Sequence, residues 1–260
     1  MAFFQVNFFS KAIRRNVSFN ALVPLDAGSE EELPKTPLKS LYLLNGFFGD
    51  YMDWICNTRI RQLSSQYGIA VFMPSGENSF YLDDIEKSEL HSEYVGAELV
   101  EFTRKVFPLS DKREDTFIGG LSMGGYGAMR TGLKYHFNFG RIIALSSALI
   151  IRDVAQIPPD YKDPMADYAY CRRVFGELDK IIGSDKDPEA LAANLKKEGK
   201  EVPSIYMACG TEDFLIAQNR AYHDFLNSLG IEHAYVEGPG VHDWKFWDEY
   251  IEKALIWALK

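Results

Sequence analysis

The chain has 260 residues, 47% of them hydrophobic and 25% charged, a globular make-up with enough length to bury a large core. Its 28 basic residues against 37 acidic ones leave a net charge of −9, which argues against nucleic acid or an anionic membrane as a partner. The 3 cysteines, Cys56, Cys171 and Cys209, lack metal-type spacing and read as free thiols in a reducing compartment. No basic–apolar–small leader opens the chain, and no apolar run approaches the ~18 residues of a membrane span, so a cytoplasmic protein is expected.

The first predicted elements are a pair of antiparallel strands. Val17, Phe19, Ala21 and Val23 alternate with Ser18, Asn20 and Leu22, residues 3–9 supply the partner strand, and Pro24 ends the pattern. The polar stretch AGSEEELPKTP, with two prolines, predicts a surface loop. Five short apolar runs follow, at Ser40–Leu44, 69–73, 116–118, Arg141–Leu145 and 204–208, and a last strand begins at His233. The segments between them are mostly helical in period, most clearly 97–106 and 217–229. Short apolar strands separated by helices predict an α/β fold with a mostly parallel sheet covered on both faces. Residues 149–202 carry no strand signal and predict a partly helical cap within a single domain of residues 1–260. That cap would lie over the edge of the sheet where ligands bind in such folds.

The stretch FIGGLSMGGYG places five glycines in eleven residues around Ser122. Gly120-Leu121-Ser122-Met123-Gly124 matches G-x-S-x-G, a strand-to-helix elbow that exposes a serine nucleophile and needs small residues on either side. A serine hydroxyl is a weak nucleophile until a base takes its proton, so a histidine and an orienting carboxylate should follow in the chain. Of the five histidines, only His242 lies on a glycine- and proline-rich loop, EGPGVHDWKFW, between a strand and a helix. After the run at 204–208, CGTEDFL offers Glu212 and Asp213; Asp213, opening into Phe214-Leu215-Ile216, is preferred. The oxyanion hole needs two backbone N–H groups, one from Met123 and one from the loop after Ser40–Leu44, where Phe47 is preferred to Phe48.

Taken in order, LYLLNGFFGDYMDW, VFMPSGENSFYLDD, FIGGLSMGGYGAM, CGTEDFL and VHDWKFWDEYI resemble the esterase D and tributyrin-esterase branch of the α/β-hydrolases over nearly the whole chain. That branch includes feruloyl and acetyl-xylan esterases, with S-formylglutathione hydrolases as relatives. The resemblance implies Ser122, Asp213 and His242 as the triad and Phe47 and Met123 as oxyanion donors. It places Tyr81 and Trp244 as pocket neighbours; Phe48 is a further pocket candidate, and a core role is the alternative for each. Asn45-Gly46 stands where the family usually has His-Gly; a hole built from backbone N–H groups should survive the change.

The function implied is a serine carboxylic-ester hydrolase of short acyl or aryl esters that needs no metal or cofactor. Its partner is a small-molecule ester, whose alcohol could be a carbohydrate, and a homo-oligomer is left open. One alternative is an acyltransferase on the same fold. The other, an S-formylglutathione thioesterase, is disfavoured because relatives of that kind carry a cysteine shortly after the loop glycine. Here Phe47-Phe48-Gly49 follow, and Cys56 is too distant. Tyr161, Tyr168, Tyr170 and Phe175 of the cap are expected to line the site and to favour acetate to butyrate.

Overall fold

The computed structural model describes residues 1–26 and 33–260. The first half of the loop expected over AGSEEELPKTP therefore lies outside the described residues. The chain begins with β1 (Ala2–Ser10) and β2 (Arg15–Val23), paired antiparallel. β3 (Ser40–Leu44), α1 (Asp53–Asn57), α2 (Ile60–Tyr67) and β4 (Ala70–Pro74) follow, then a small ribbon of β5 (Asp83–Asp84) and β6 (Glu89–Leu90). α3 (His91–Glu93) runs through a π-turn into α4 (Leu99–Val106), and β7 (Thr116–Leu121) leads into α5 (Met123–Lys134). After β8 (Arg141–Leu145) come α6 (Ile151–Val154), α7 (Tyr168–Phe175) and α8 (Pro188–Lys197). The chain closes with β9 (Ser204–Gly210), α9 (Ile216–Ser228), β10 (His233–Gly238) and α10 (Trp244–Ala258).

Eight strands form one sheet in the order β1-β2-β4-β3-β7-β8-β9-β10. β1 and β2 pair antiparallel, β2 pairs antiparallel with β4, and every later pairing is parallel. This is the α/β-hydrolase fold, with its antiparallel start. The central strands are apolar at nearly every position because both faces of the sheet are covered. Tyr42, Phe72, Ile118 and Ile142 face the layer containing α4, α5, α8 and α9. Leu41, Val71, Phe117 and Ile143, one residue away in each strand, face the layer of α1, α2 and α10.

Two boundaries differ from the sequence expectation. The strand expected at 116–118 continues through Gly119 and Gly120 to Leu121, paired with β3 and β8 throughout; a Cβ on Gly120 would strike the Gly124 backbone at the start of the following helix, so glycine is needed where strand and helix press together. The helix expected from residue 97 begins at His91, and its π-turn over Tyr94–Glu98 breaks the 3.6-residue period that marks a helix in sequence. No helix among the described residues is long and apolar enough to cross a membrane.

Candidate active site

Four loops meet beyond the C-terminal ends of neighbouring parallel strands: Asn45 follows β3, Ser122 follows β7, Asp213 follows β9 and His242 follows β10. Ser122 has φ 54° and ψ −119°, a strained conformation at the junction of β7 and α5. Its amide donates to the Leu145 carbonyl at 2.9 Å, and its own carbonyl accepts from Tyr126 at 3.0 Å and Ala148 at 2.9 Å. These bonds hold the turn open. The flanking glycines are demanded by contact: a Cβ on Gly124 would stand 2.5 Å from the Asn45 carbonyl oxygen and 2.6 Å from that of Leu44.

The Ser122 hydroxyl lies 3.0 Å from His242 Nε2, and His242 Nδ1 lies 2.8 Å from Asp213 Oδ2. With the carboxylate accepting from Nδ1–H, Nε2 keeps a lone pair toward the serine. Asp213 is buried, and its second oxygen accepts from the Leu215 amide at 2.8 Å. Burial pushes the Asp213 carboxyl up, but the His242 imidazole and the Leu215 N–H outweigh it and hold the group below the ordinary carboxylate value. Glu212, the neighbouring candidate, turns the other way and accepts from the Gly240 amide at 2.7 Å. The imidazole is packed between Phe214, at 4.5 Å between ring centres, and Trp247, at 4.9 Å and perpendicular.

The loop after β3, expected to supply an oxyanion donor, is held by two asparagines. Asn45 is buried; its Oδ1 accepts from the Gly76 amide at 3.0 Å and the Tyr81 hydroxyl at 2.9 Å, while its Nδ2 donates to the Gly46 carbonyl at 2.8 Å. Asn78 Oδ1 accepts from the Phe48 amide at 2.7 Å, so that amide is engaged away from Ser122. The amides of Phe47 and Met123 have no protein acceptor among the described residues.

A cavity of about 300 Å³ opens beside Ser122 and is mainly apolar, with Phe47, Phe80, Met123, Ile150, Ile157 and Tyr161 among its walls. Three aromatics expected at the pocket lie outside it. Tyr81 is fully buried with its hydroxyl committed to Asn45; Trp244 stacks edge-on against Trp54 and Trp247, behind the His242 loop; Phe48 is 68% exposed and points to solvent. Of the four cap aromatics expected to line it, only Tyr161 does so. Tyr170 donates to the Asn78 carbonyl and packs edge-on against Phe47, and Phe175 is buried against Phe80 and Tyr126. Phe80, Ile150, Ile157, Met165 and Phe214 were not legible as wall residues, because no motif marks apolar residues gathered from separate loops.

The family model described as "Putative esterase" matches residues 10–258. An acetyl esterase of Caldicellulosiruptor saccharolyticus is 55% identical over 263 aligned positions, covering 100% of this chain and 99% of that protein. Among solved structures, the fluorophosphonate-binding serine hydrolase F of Staphylococcus aureus superposes with a TM-score of 0.87 at 27% identity, covering 100% of this chain and 98% of that one. An S-formylglutathione hydrolase of the same organism gives 0.86 at 28%, covering 100% and 99%. With a family match over nearly its whole length and a 55% identical esterase beside it, the chain belongs to the esterase family of α/β-hydrolases and is a carboxylesterase.

Proposed function

We propose that this esterase hydrolyses short-chain acyl esters through a Ser122–His242–Asp213 triad and an acyl-enzyme intermediate. The observation that carries the reading is the Ser122 hydroxyl 3.0 Å from His242 Nε2, at the mouth of an apolar cavity of about 300 Å³. His242 Nε2 takes the Ser122 proton as Oγ bonds to the ester carbonyl carbon, and the negative charge that develops on the carbonyl oxygen is met by the Phe47 and Met123 N–H groups. The C–O bond to the alcohol then breaks, and the imidazolium gives its proton to the leaving oxygen. A water molecule repeats both steps on the acyl-enzyme to release the acid.

The cavity beside Ser122 is walled by Ile150, Ile157 and Tyr161 of the cap together with Phe47, Phe80 and Phe214, and its size suits a short acyl group. Against p-nitrophenyl esters, kcat/KM is expected to peak at acetate to butyrate and to fall beyond about six carbons, each methylene changing discrimination by about 1–3 kcal/mol at most. Ser122→Ala should remove at least about 10⁴-fold of the rate. A maximum at long-chain esters, or a Ser122→Ala enzyme of undiminished activity, contradicts the reading.

Thioester hydrolysis is the second reading, favoured by the likeness to the S-formylglutathione hydrolase of Staphylococcus aureus. The bulk of Phe47-Phe48 beside the oxyanion loop opposes it. Turnover of S-formylglutathione with kcat/KM well above that for acetate esters would establish it instead.

A further inference from the structure

β1 is the edge of the eight-stranded sheet and has no strand on its outer side among the described residues. Exposed edges are ordinarily blunted by charge, proline or a bulge, which discourage pairing with another chain. β1 carries none of these. It reads AFFQVNFFS, nine consecutive residues without a charge, a proline or a glycine, paired with β2 without interruption from Ala2 to Ser10. The opposite edge, β10, is protected in the usual way, with Glu237 in an ion pair with Arg220 at 2.7 Å.

The edge also exposes aromatic rings on both of its faces. On one, Phe8 stacks on Phe102 at 4.1 Å and Phe4 meets Phe107 at 5.4 Å, with Phe4 still 38% exposed. On the other, Phe3 and Phe9 are 43% and 62% exposed, with Gln5 and Asn7 between them. A phenylalanine ring can bury about 150–250 Å², so these fractions leave roughly 200–350 Å² of ring surface uncovered in each copy.

The strand is self-complementary. A two-fold axis through Val6 sets Ala2 opposite Ser10, Phe3 opposite Phe9, Phe4 opposite Phe8 and Gln5 opposite Asn7 of a second copy running antiparallel. Every ring then meets a ring, and the amide side chains meet each other, on both faces at once. Moving the axis by one residue sets Phe3 against Asn7, or Gln5 against Phe9. In the Val6 register, Phe4 of the second copy falls beside a groove of about 370 Å³ whose apolar floor of Phe8, Phe9, Ala97 and Phe102 is rimmed by charged residues, Lys11, Glu93, Glu98, Glu101 and Lys105. We infer that β1 pairs with β1 of a second copy of this chain about an axis at Val6, joining two sheets into one continuous sixteen-stranded sheet across an isologous dimer.

Sedimentation equilibrium should find a species of twice the 29.6 kDa chain mass. The Phe3→Lys/Phe9→Lys double variant places like charges opposite one another at the edge; it should sediment as a monomer while its hydrolysis of p-nitrophenyl acetate stays within about twofold. Register is read by cross-linking, with the exposed Cys56 first replaced by serine. Chains carrying Gln5→Cys mixed with chains carrying Asn7→Cys should form a disulfide-linked dimer under mild oxidant. Neither alone should do so, since equal positions lie beyond the ~7 Å that a disulfide spans between Cα atoms. A monomeric wild-type enzyme, a dimer that survives the double lysine variant, or cross-linking no greater in the mixture than in the single chains overturns the inference. The cross-linking result decides it even if the lysine variant fails to fold.

Discussion

At the scale of single residues, the site depends on which way a few short side chains turn. Asp213 and Glu212 are adjacent and both carboxylates, yet one faces the imidazole and the other ties down the Gly240 amide. Asp213→Asn should therefore lower kcat by up to about 10⁴-fold with the fold intact, while Glu212→Gln should leave kcat within about tenfold. The reverse order would move the orienting role to Glu212. Because His242 and Leu215 hold the Asp213 carboxyl below its usual range, it stays ionised into acid. The same depression makes ionised Asp213 stabilising above the ordinary carboxylate value, a contribution lost as pH falls through its lowered folded value. Urea unfolding of Asp213→Asn across that window should show a flatter loss than the wild type.

Elements set how much room surrounds those residues. α5 begins directly at Met123, and its first turn lies against the carbonyls at the end of β3. Gly124→Ala would drive a methyl into that backbone, which cannot swing aside as a side chain could. It is expected to cost about 1–3 kcal/mol of stability, measured by urea unfolding, and to lower kcat by displacing the oxyanion loop. The segment after β8 acts on the substrate side, since Ile150, Ile157 and Tyr161 wall the cavity. Ile157→Ala should move the acyl optimum toward hexanoate, read from the same p-nitrophenyl series. An unchanged profile would mean that the acyl chain lies elsewhere.

Across the whole molecule, the segment between β8 and β9 is tied to the scaffold in part by a buried cation. Arg130 of α5 is 1% exposed; its guanidinium reaches the Asp185 carboxylate at 2.6 Å, the Asp185 carbonyl at 2.8 Å and the Ser92 hydroxyl at the start of α3. Lys134 adds a second contact to the same carboxylate at 2.9 Å. A buried charge that loses its partner is costly, but Asp185 is half exposed and water would take over part of its role. Asp185→Ala should cost about 1–3 kcal/mol in urea unfolding and speed amide exchange between α7 and α8 more than in β7 or β8. Uniform exchange through the sheet and the cap would show that the ion pair does not anchor the segment.

The sequence by itself determined the parallel sheet, because strands buried on both faces must be apolar throughout and leave short apolar runs alternating with segments of helical period. It also marked Ser122, since a strained elbow pressed against two carbonyls admits only glycine at Gly124. The chain order of strands and loops singled out His242 and narrowed the carboxylate to two neighbours. Only the tertiary structure shows which of those neighbours meets His242, and which of the Phe47 and Phe48 amides is bonded elsewhere, because each contact rests on a partner far away in the chain: His242 for Asp213, Asn78 for Phe48. The same holds for Tyr81 and Trp244. Aromatic character is equally suited to a pocket wall and to a core, and packing against Asn45, Trp54 and Trp247 placed both off the cavity. Most of the cavity's walls come from residues without a motif, gathered from the loops after β3 and β4, α5, the segment after β8 and the loop after β9. Apolar contact has no direction and no spacing, so its membership is fixed only when the chain has folded.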